Sequence, residues 1–126
     1  MLNKIVLIGR LTKDPDLRYT PNGTAVCNFS LAVERNFKNQ DGERDVDFVN
    51  IVVWRKQAEN CANYLAKGRL VAVEGSLRQN RWEDEDGNKR SKLEVNANEV
   101  QFLDWGDKDK KEDNQEDNQD DIDVPF

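Results

Sequence analysis

Residues 47–56, with the sequence DFVNIVVWRK, constrain the fold of this 126-residue chain more than any other stretch. They are typical of a β-strand, in which successive side chains point to opposite faces of a sheet. One face is wholly aliphatic and suits a buried core; it consists of Val49, Ile51 and Val53. The opposite face is half polar and carries two large aromatic residues; it consists of Phe48, Asn50, Val52 and Trp54.

Two cations, Arg55 and Lys56, follow these aromatic residues at the end of the stretch. Aromatic rings beside cations form a platform on which nucleobases stack while phosphates are bound. Buried aromatic residues are common, however, so the same pattern also fits a strand with both faces in the core. The rest of the chain has to decide between these two interpretations.

The remaining segments predict an all-β domain with one helix. Strands are expected at 2–11, 24–33, 47–56, 69–79 and 89–103, with a loop or short strand over 12–23. A helix is expected over 57–67, because apolar residues recur there at helical spacing and Gly68 suits its C-terminal cap. Five strands with a helix between the third and fourth predict a five-stranded Greek-key barrel, the OB-fold.

Single positions in these strands carry further expectations. Gly9 predicts a bulge or a close approach of another segment in the first strand. In the fourth strand Leu77 is expected on the same face as Val71 and Val73, and in the fifth strand Leu93 is expected to point inward. The inward pattern of the fifth strand shifts its phase after Ala97.

The sequence lacks most of the residue arrangements that enzymatic catalysis uses. There is no histidine, which excludes the Ser-His-Asp and Cys-His arrangements, and no glycine-rich phosphate loop. The cysteines, Cys27 and Cys61, lack metal-ligand spacing and are expected as buried thiols. The acids between 41 and 47 could bind magnesium, but acids in loops are usually solvated. We therefore expect no catalytic site, no metal and no cofactor.

Four aromatic residues lie close to cations: Phe37, Phe48, Trp54 and Trp82. Each ring could stack a base of any identity, while neighbouring Lys and Arg bind the phosphates. Trp82 adjoins Arg81 close to a predicted turn at 86–87, where a core position is hard to explain. No basic recognition helix is predicted, which disfavours binding in the grooves of a duplex.

The negative charge of the chain is concentrated at its C-terminal end. Residues 1–103 hold 16 Lys and Arg against 15 Asp and Glu, a net +1, whereas residues 104–126 hold 3 against 10, a net −7. The two sum to the −6 of the whole chain. We predict a domain at 1–103, an acidic flexible linker at 104–119 and a protein-docking tip at 120–126.

The predicted tip combines acids with apolar residues that a purely solubilising tail does not need. It contains Asp121, Ile122, Asp123, Val124, Pro125 and Phe126. Such a sequence with a free carboxylate suits an apolar pocket with a basic rim on a partner protein. A solvated, solubilising appendage is the alternative interpretation.

The N-terminus lacks the pattern of a secretory signal. No apolar run approaches the ~20 residues that are needed to cross a bilayer. The expected compartment is therefore the cytoplasm, and no membrane partner is expected.

Several segments together form a specific pattern: MLNKIVLIGRL at 1–11, DP at 14–15 with RYTPNG at 18–23, AEN at 58–60 through YLAKG at 64–68, VEGSL at 73–77, and the acidic tail that ends in PF. In these segments the chain resembles the bacterial and phage single-stranded DNA-binding proteins of the tetrameric OB-fold family. The resemblance covers essentially the whole length.

The resemblance implies a homotetramer that binds single-stranded DNA without sequence preference during replication, recombination and repair. It implies stacking by the four aromatic residues named above. It implies phosphate binding by six cations: Lys4, Arg10, Arg35, Lys56, Lys67 and Arg81. It also implies that the C-terminal tip recruits replication, recombination and repair proteins. The family often has Trp where this chain has Phe37 and Phe48, and some relatives have Arg at Asn50.

Two other functions fit parts of the sequence. A primosomal replication protein with the same fold would be a dimer that binds other replication proteins as well as DNA, but the acidic tail disfavours it. A small metal-dependent nuclease would use the loop acids, whose spacing does not predict a site. We favour single-stranded DNA binding over both.

Overall fold

The computed structural model describes residues 1–104. Its elements in chain order are β1 (Ile5–Leu11), β2 (Asp16–Tyr19), β3 (Ala25–Lys38), β4 (Arg44–Trp54), α1 (Arg55–Tyr64), β5 (Leu70–Glu83) and β6 (Lys89–Phe102). β2 is the short strand foreseen between the first two long strands, and it pairs with the edge of β3. The other five strands and the helix form the predicted OB-fold barrel, with α1 between the third and fourth barrel strands.

β1 closes the sheet into a barrel because it pairs with a strand on each side. It pairs antiparallel with β5 over Ile5 to Arg10, and with β3 at Arg10 and Leu11. The ring continues through β5, β6, β4 and β3, and β4 and β6 are parallel. A Cβ added at Gly9 would lie 2.4 Å from the Ala32 carbonyl oxygen, so the predicted close approach is confirmed.

Alternating side chains of the barrel strands fill the interior. Ile51 and Val53 of β4 are fully buried, as predicted. Other strands contribute Leu31, Val71, Val73 and Val95. The two cysteines are buried as free thiols, and burial raises the pKa of Cys27 to about 11 and that of Cys61 to about 12. Both thiols are therefore neutral at pH 7 and pack as small apolar groups.

A β-bulge interrupts the pairing between β5 and β6. The register shifts between Glu74 and Gly75, which leaves Asn98 of β6 as an extra residue. The backbones approach closely here, since a Cβ added at Gly75 would lie 2.2 Å from the Asn96 carbonyl oxygen. The extra residue accounts for the phase shift predicted after Ala97.

The helix prediction is right in kind but wrong at its C-terminus. α1 ends at Tyr64, and Gly68 does not cap it. Leu65 takes an extended backbone conformation and buries its side chain in the core, which stops the helix. Gly68 lies in the following turn, where its N–H donates to the Leu11 carbonyl oxygen at 2.8 Å.

The inward placement of Leu93 is wrong, and Leu77 is exposed although it shares a strand face with the buried Val71 and Val73. The exposed fractions are 41% for Leu77 and 59% for Leu93. From Leu77 onward β5 and β6 leave the barrel as a projecting two-stranded arm, residues 77–83 and 89–93, which we call the hairpin arm. The alternation of side chains continues along the arm, but no barrel interior lies beside it.

No helix within residues 1–104 is both long enough and apolar enough to span a membrane. The predicted acidic linker and docking tip lie outside the described residues, except for Asp104.

We expect Gly9→Ala to destabilise the domain by about 2–3 kcal/mol, because the added methyl group would overlap the backbone of β3. Gly42→Ala is the comparison, because nothing lies within 4 Å of its added Cβ and only a left-handed conformation (φ 81°) is strained. It should cost about 1 kcal/mol. Urea denaturation followed by circular dichroism measures both losses, and equal losses would contradict the close approach.

Candidate nucleic-acid interface

The four aromatic side chains predicted to stack bases are exposed. Their exposed fractions are 83% for Phe37, 69% for Phe48, 38% for Trp54 and 46% for Trp82. The alternative, that these rings fill the core, is therefore wrong. The barrel interior is filled instead by aliphatic residues, cysteines and Phe29.

Two of the rings lie on the outer β4 face, which we define as Phe48, Asn50, Val52 and Trp54. Their neighbours across the sheet in β3 are Ala32 beside Phe48, Ser30 beside Asn50, Asn28 beside Val52 and Val26 beside Trp54. Directly opposed residues of an antiparallel pair share one face of the sheet. Because these β3 side chains are small, they leave the two rings accessible.

Trp54 ends β4, and its indole is held by a side chain of β6. The Nε1–H donates to Asn96 Oδ1 at 2.9 Å. The next residue, Arg55, has φ 58°, a left-handed conformation that is uncommon outside glycine. The chain therefore turns from strand into helix directly after the ring.

The N-terminus of α1 lies beside this ring and is electropositive. Arg55 and Lys56 begin the helix, its first turn contains no acid, and Trp54 provides no side-chain cap. The free N–H groups and the dipole of a helix N-terminus attract anions and disfavour cations. A helix N-terminus that carries two cations is therefore more stable with an anion bound than without one.

Trp82 stands on the hairpin arm and shares its face with cations from β6. It pairs with Arg90, and Asn80 on the same face pairs with Lys92. Arg90 is itself neutralised by Asp84 at 2.9 Å. Among residues 1–104, Lys92 makes no ion pair, so it is an open cation of this face.

Arg81 alternates to the other face of the arm, where it donates to Gln79 Oε1 at 2.7 Å. The resemblance implied phosphate binding by Arg81, which adjoins Trp82 in the sequence, and the sequence analysis missed Lys92. The available signal was the pairing across the predicted turn at 86–87, which places Lys92 on the Trp82 face.

The predicted phosphate-binding cations differ in how far carboxylates neutralise them. Three are paired, with nitrogen–oxygen distances of 2.9 Å for Arg35–Asp47, 3.4 Å for Arg10–Asp104 and 3.5 Å for Lys4–Glu74. Lys56 and Lys67 are exposed, and their ammonium groups have no partner within the described part of the chain. These two remain the most available of the six.

The pair between Arg35 and Asp47 has the best geometry of the three. Two hydrogen bonds of 3.0 and 2.9 Å join the guanidinium to both carboxylate oxygens. These bonds lower the pKa of Asp47 and raise that of Arg35. Both side chains are exposed, so solvent screens the pair and limits what it adds to stability.

Two of the four loop acids make local side-chain contacts. Asp45 accepts from Asn39, and Asp47 from Arg35. Across residues 1–104, no three acidic or cysteine side chains gather as a group that could hold a metal ion.

The sequence matches the Single-strand binding protein family over residues 2–103. The chain belongs to this family. It is 60% identical to a single-stranded DNA-binding protein of Bacillus cereus and 58% identical to single-stranded DNA-binding protein A of Bacillus subtilis, each over 103 residues. Those alignments cover 82% of this chain and 61% and 60% of the relatives, so the chain spans about three fifths of their length.

A third relative is single-stranded DNA-binding protein 2 of Clostridium acetobutylicum. It is 54% identical over 114 residues, which is 90% of this chain and 84% of the relative. The family match ends at residue 103 and so coincides with the barrel and its arm.

In this family member, Asp47 should stay ionised to lower pH than an ordinary aspartate, because Arg35 stabilises the charged form. The pair then contributes stability above the unfolded pKa of about 4, and this is lost as pH falls through the lower folded value. Carboxyl titration by NMR should give a lower midpoint for Asp47 in the unaltered chain than in Arg35→Gln.

Asp84 is the internal control for this titration. Its pKa is lowered mainly by the Asn88 N–H and by Arg90, so Arg35→Gln should leave it unchanged. An Asp47 midpoint that does not move on replacing Arg35 would contradict the assignment.

Proposed function

We propose that this chain binds and protects single-stranded DNA without sequence preference during replication, recombination and repair. The observation that carries the proposal is the exposure of four aromatic rings on a barrel whose interior is otherwise filled. Aromatic rings exposed to water form apolar surface that suits a bound ligand. Unpaired bases suit these rings because they can stack on them. The names of the relatives point to the same ligand.

The rings and the open cations contribute to binding in different ways, the rings by stacking bases and the cations by contacting phosphates. Each base stacked on a ring contributes roughly 1–3 kcal/mol whatever its identity. Lys56, together with the N-terminus of α1, is suited to a phosphate next to a base on Trp54. Lys67 and Lys92 supply further phosphate contacts, whose affinity falls as salt rises.

The paired cations contribute less in this proposal. Lys4, Arg10 and Arg35 each have to leave a carboxylate before they bind a phosphate fully. Arg81 faces away from Trp82, so it contacts only a strand that wraps around the hairpin arm.

The proposed activity is binding without turnover. Paired bases in a duplex do not offer their faces to the rings, so binding favours extended single strands and melts hairpins. The rival function, a metal-dependent nuclease, lacks a ligand cluster within residues 1–104. Loss of a labelled oligonucleotide on adding magnesium would support the nuclease instead.

Phe48→Ala and Trp82→Ala are each expected to weaken binding of oligo-dT by roughly 5- to 150-fold, because each removes a stacking ring. The measurement is fluorescence anisotropy of a labelled oligonucleotide at fixed salt. Tyr19→Ala is the matched control: the ring is 57% exposed, but it lies on β2, where its hydroxyl contacts Glu59 at 3.3 Å. A loss for Tyr19→Ala as large as that for Trp82→Ala would contradict the placement of the interface.

We also propose a homotetramer. Large apolar side chains away from the outer β4 face are exposed at Leu2, Val6, Ile8, Leu77 and Leu93. Val6 and Ile8 form the outward face of β1, and the three leucines line a groove at the base of the hairpin arm. Apolar surface of this kind suits contact between copies of one chain.

Sedimentation equilibrium is expected to give a mass of about 58 kDa, since one chain is 14.6 kDa and there are four of them. Ile8→Asp should lower this mass by placing a charge in the contact. Tyr64→Asp, at a similarly exposed ring on α1, should not. A dimer mass for the unaltered chain would favour the primosomal alternative.

The C-terminal tip is proposed to recruit replication, recombination and repair proteins in the cytoplasm. Residues 104–119 would tether it as a flexible coil spanning about 20–25 Å, which keeps a docked enzyme close to the DNA. The apolar side chains of Ile122, Val124 and Phe126 would fill the partner's pocket, while the acids face its basic rim.

Phe126→Ala should weaken binding to purified replication and repair enzymes at least tenfold, because it removes an apolar anchor of the tip. Asn118→Ala, in the predicted linker, should bind as the unaltered chain does. Surface plasmon resonance on the immobilised full chain measures both. Equal affinities for the two variants would contradict the role of the tip.

A further inference from the structure

We propose that Asn96 is a positioning residue of the interface, which fixes the Trp54 ring and occupies its one hydrogen-bond donor. The inference rests on the proposed DNA binding. It adds a residue that is neither an aromatic ring nor a cation.

The contact itself is direct. Trp54 Nε1–H donates to Asn96 Oδ1 at 2.9 Å, and Trp54 is the least exposed of the four rings. An exposed side chain without an anchor samples several rotamers, and ordering it on binding costs free energy. The hydrogen bond orders the indole before DNA arrives, so less of that cost falls on association.

Asn96 is itself held on both sides. In β6 it pairs with Val52 of β4 and with Ser76 of β5. The absent side chain of Gly75 lets the β5 backbone approach, since a Cβ there would lie 2.2 Å from the Asn96 carbonyl oxygen. The backbone that carries Asn96 therefore has little freedom, and its amide is a fixed reference for the ring.

The bond also decides which part of the indole a base can meet. Indole has one donor and no acceptor, so once Nε1–H is occupied only the faces of the ring remain available. Stacking on a face tolerates every base, whereas a free N–H could select bases by their acceptors. Asn96 thereby favours sequence-independent contact at Trp54.

Asn96→Ala is expected to weaken oligo-dT binding about threefold to tenfold, the fold-change that matches one neutral hydrogen bond. In a Trp54→Phe background, which keeps a ring but lacks the N–H, the same change should alter affinity less than twofold. Asn98→Ala is the matched control, because Asn98 is exposed two residues along β6. It should have no effect in either background.

Three outcomes would overturn the proposal. An equal loss from Asn96→Ala in both backgrounds would mean a structural role only. If Asn96→Ala keeps full affinity for oligo-dT while Trp54→Ala loses tenfold or more, the positioning role would be wrong. The proposed DNA interface would be unaffected by that result. No loss from Trp54→Ala would remove Trp54 from the interface, and Asn96 with it.

A measurement on the unaltered chain covers the case in which Asn96→Ala does not fold. Hydrogen exchange by NMR should show the Trp54 Nε1–H exchanging more slowly with deuterated water than the Trp82 Nε1–H. Asn96→Asp, which keeps the acceptor oxygen, should preserve that difference. Equal exchange of the two indoles in the unaltered chain would contradict the anchor.

Discussion

Closure of the barrel by β1 is the constraint on which the other features depend. β1 pairs with β5 along one edge and with β3 along the other, and Gly9 permits the second contact by coming within reach of Ala32. Once the sheet is closed, each barrel strand has one face inside and one outside. Ile51 and Val53 then fill the core, and Phe48 and Trp54 are left in solvent on the outer β4 face.

Local charge, rather than net charge, gives the proposed interface its character. The described domain is close to neutral, and several of its cations are neutralised by carboxylates. One open site lies where β4 passes into α1, with Lys56 and an uncapped helix N-terminus beside Trp54. An anion attracted to that corner meets a ring already fixed by Asn96. The left-handed residue Arg55 makes this juxtaposition possible by turning the chain immediately after the ring.

The features that were predictable from the sequence are those that depend on local periodicity. The alternation in residues 47–56 correctly placed Ile51 in the core and Trp54 on the exposed face. The spacing of Ala58 and Cys61 correctly predicted the buried side of the helix. Element order was enough for the OB-fold, because one helix in a run of strands leaves few barrels to choose from.

The features that could not be predicted depend on which strands pair and in which register, and local sequence patterns do not determine this. The same alternation that buries Val71 was extended to Leu77, but only pairing and closure determine where the barrel ends and the hairpin arm begins. The contact between Trp54 and Asn96 joins residues 42 apart, and the β4–β6 pairing that creates it is invisible to a local pattern. The carboxylate partners of Lys4 and Arg10 are likewise distant in the chain.

The central claim is that the rings outside the barrel bind unpaired bases, and intrinsic tryptophan fluorescence tests it most directly. Trp105→Phe leaves Trp54 and Trp82 as the only tryptophans. Titration with oligo-dT at several salt concentrations should quench their emission to saturation, with affinity falling as salt rises. A duplex of the same length should quench far less. Unchanged emission at saturating oligo-dT, or equal quenching by the duplex, would contradict the account.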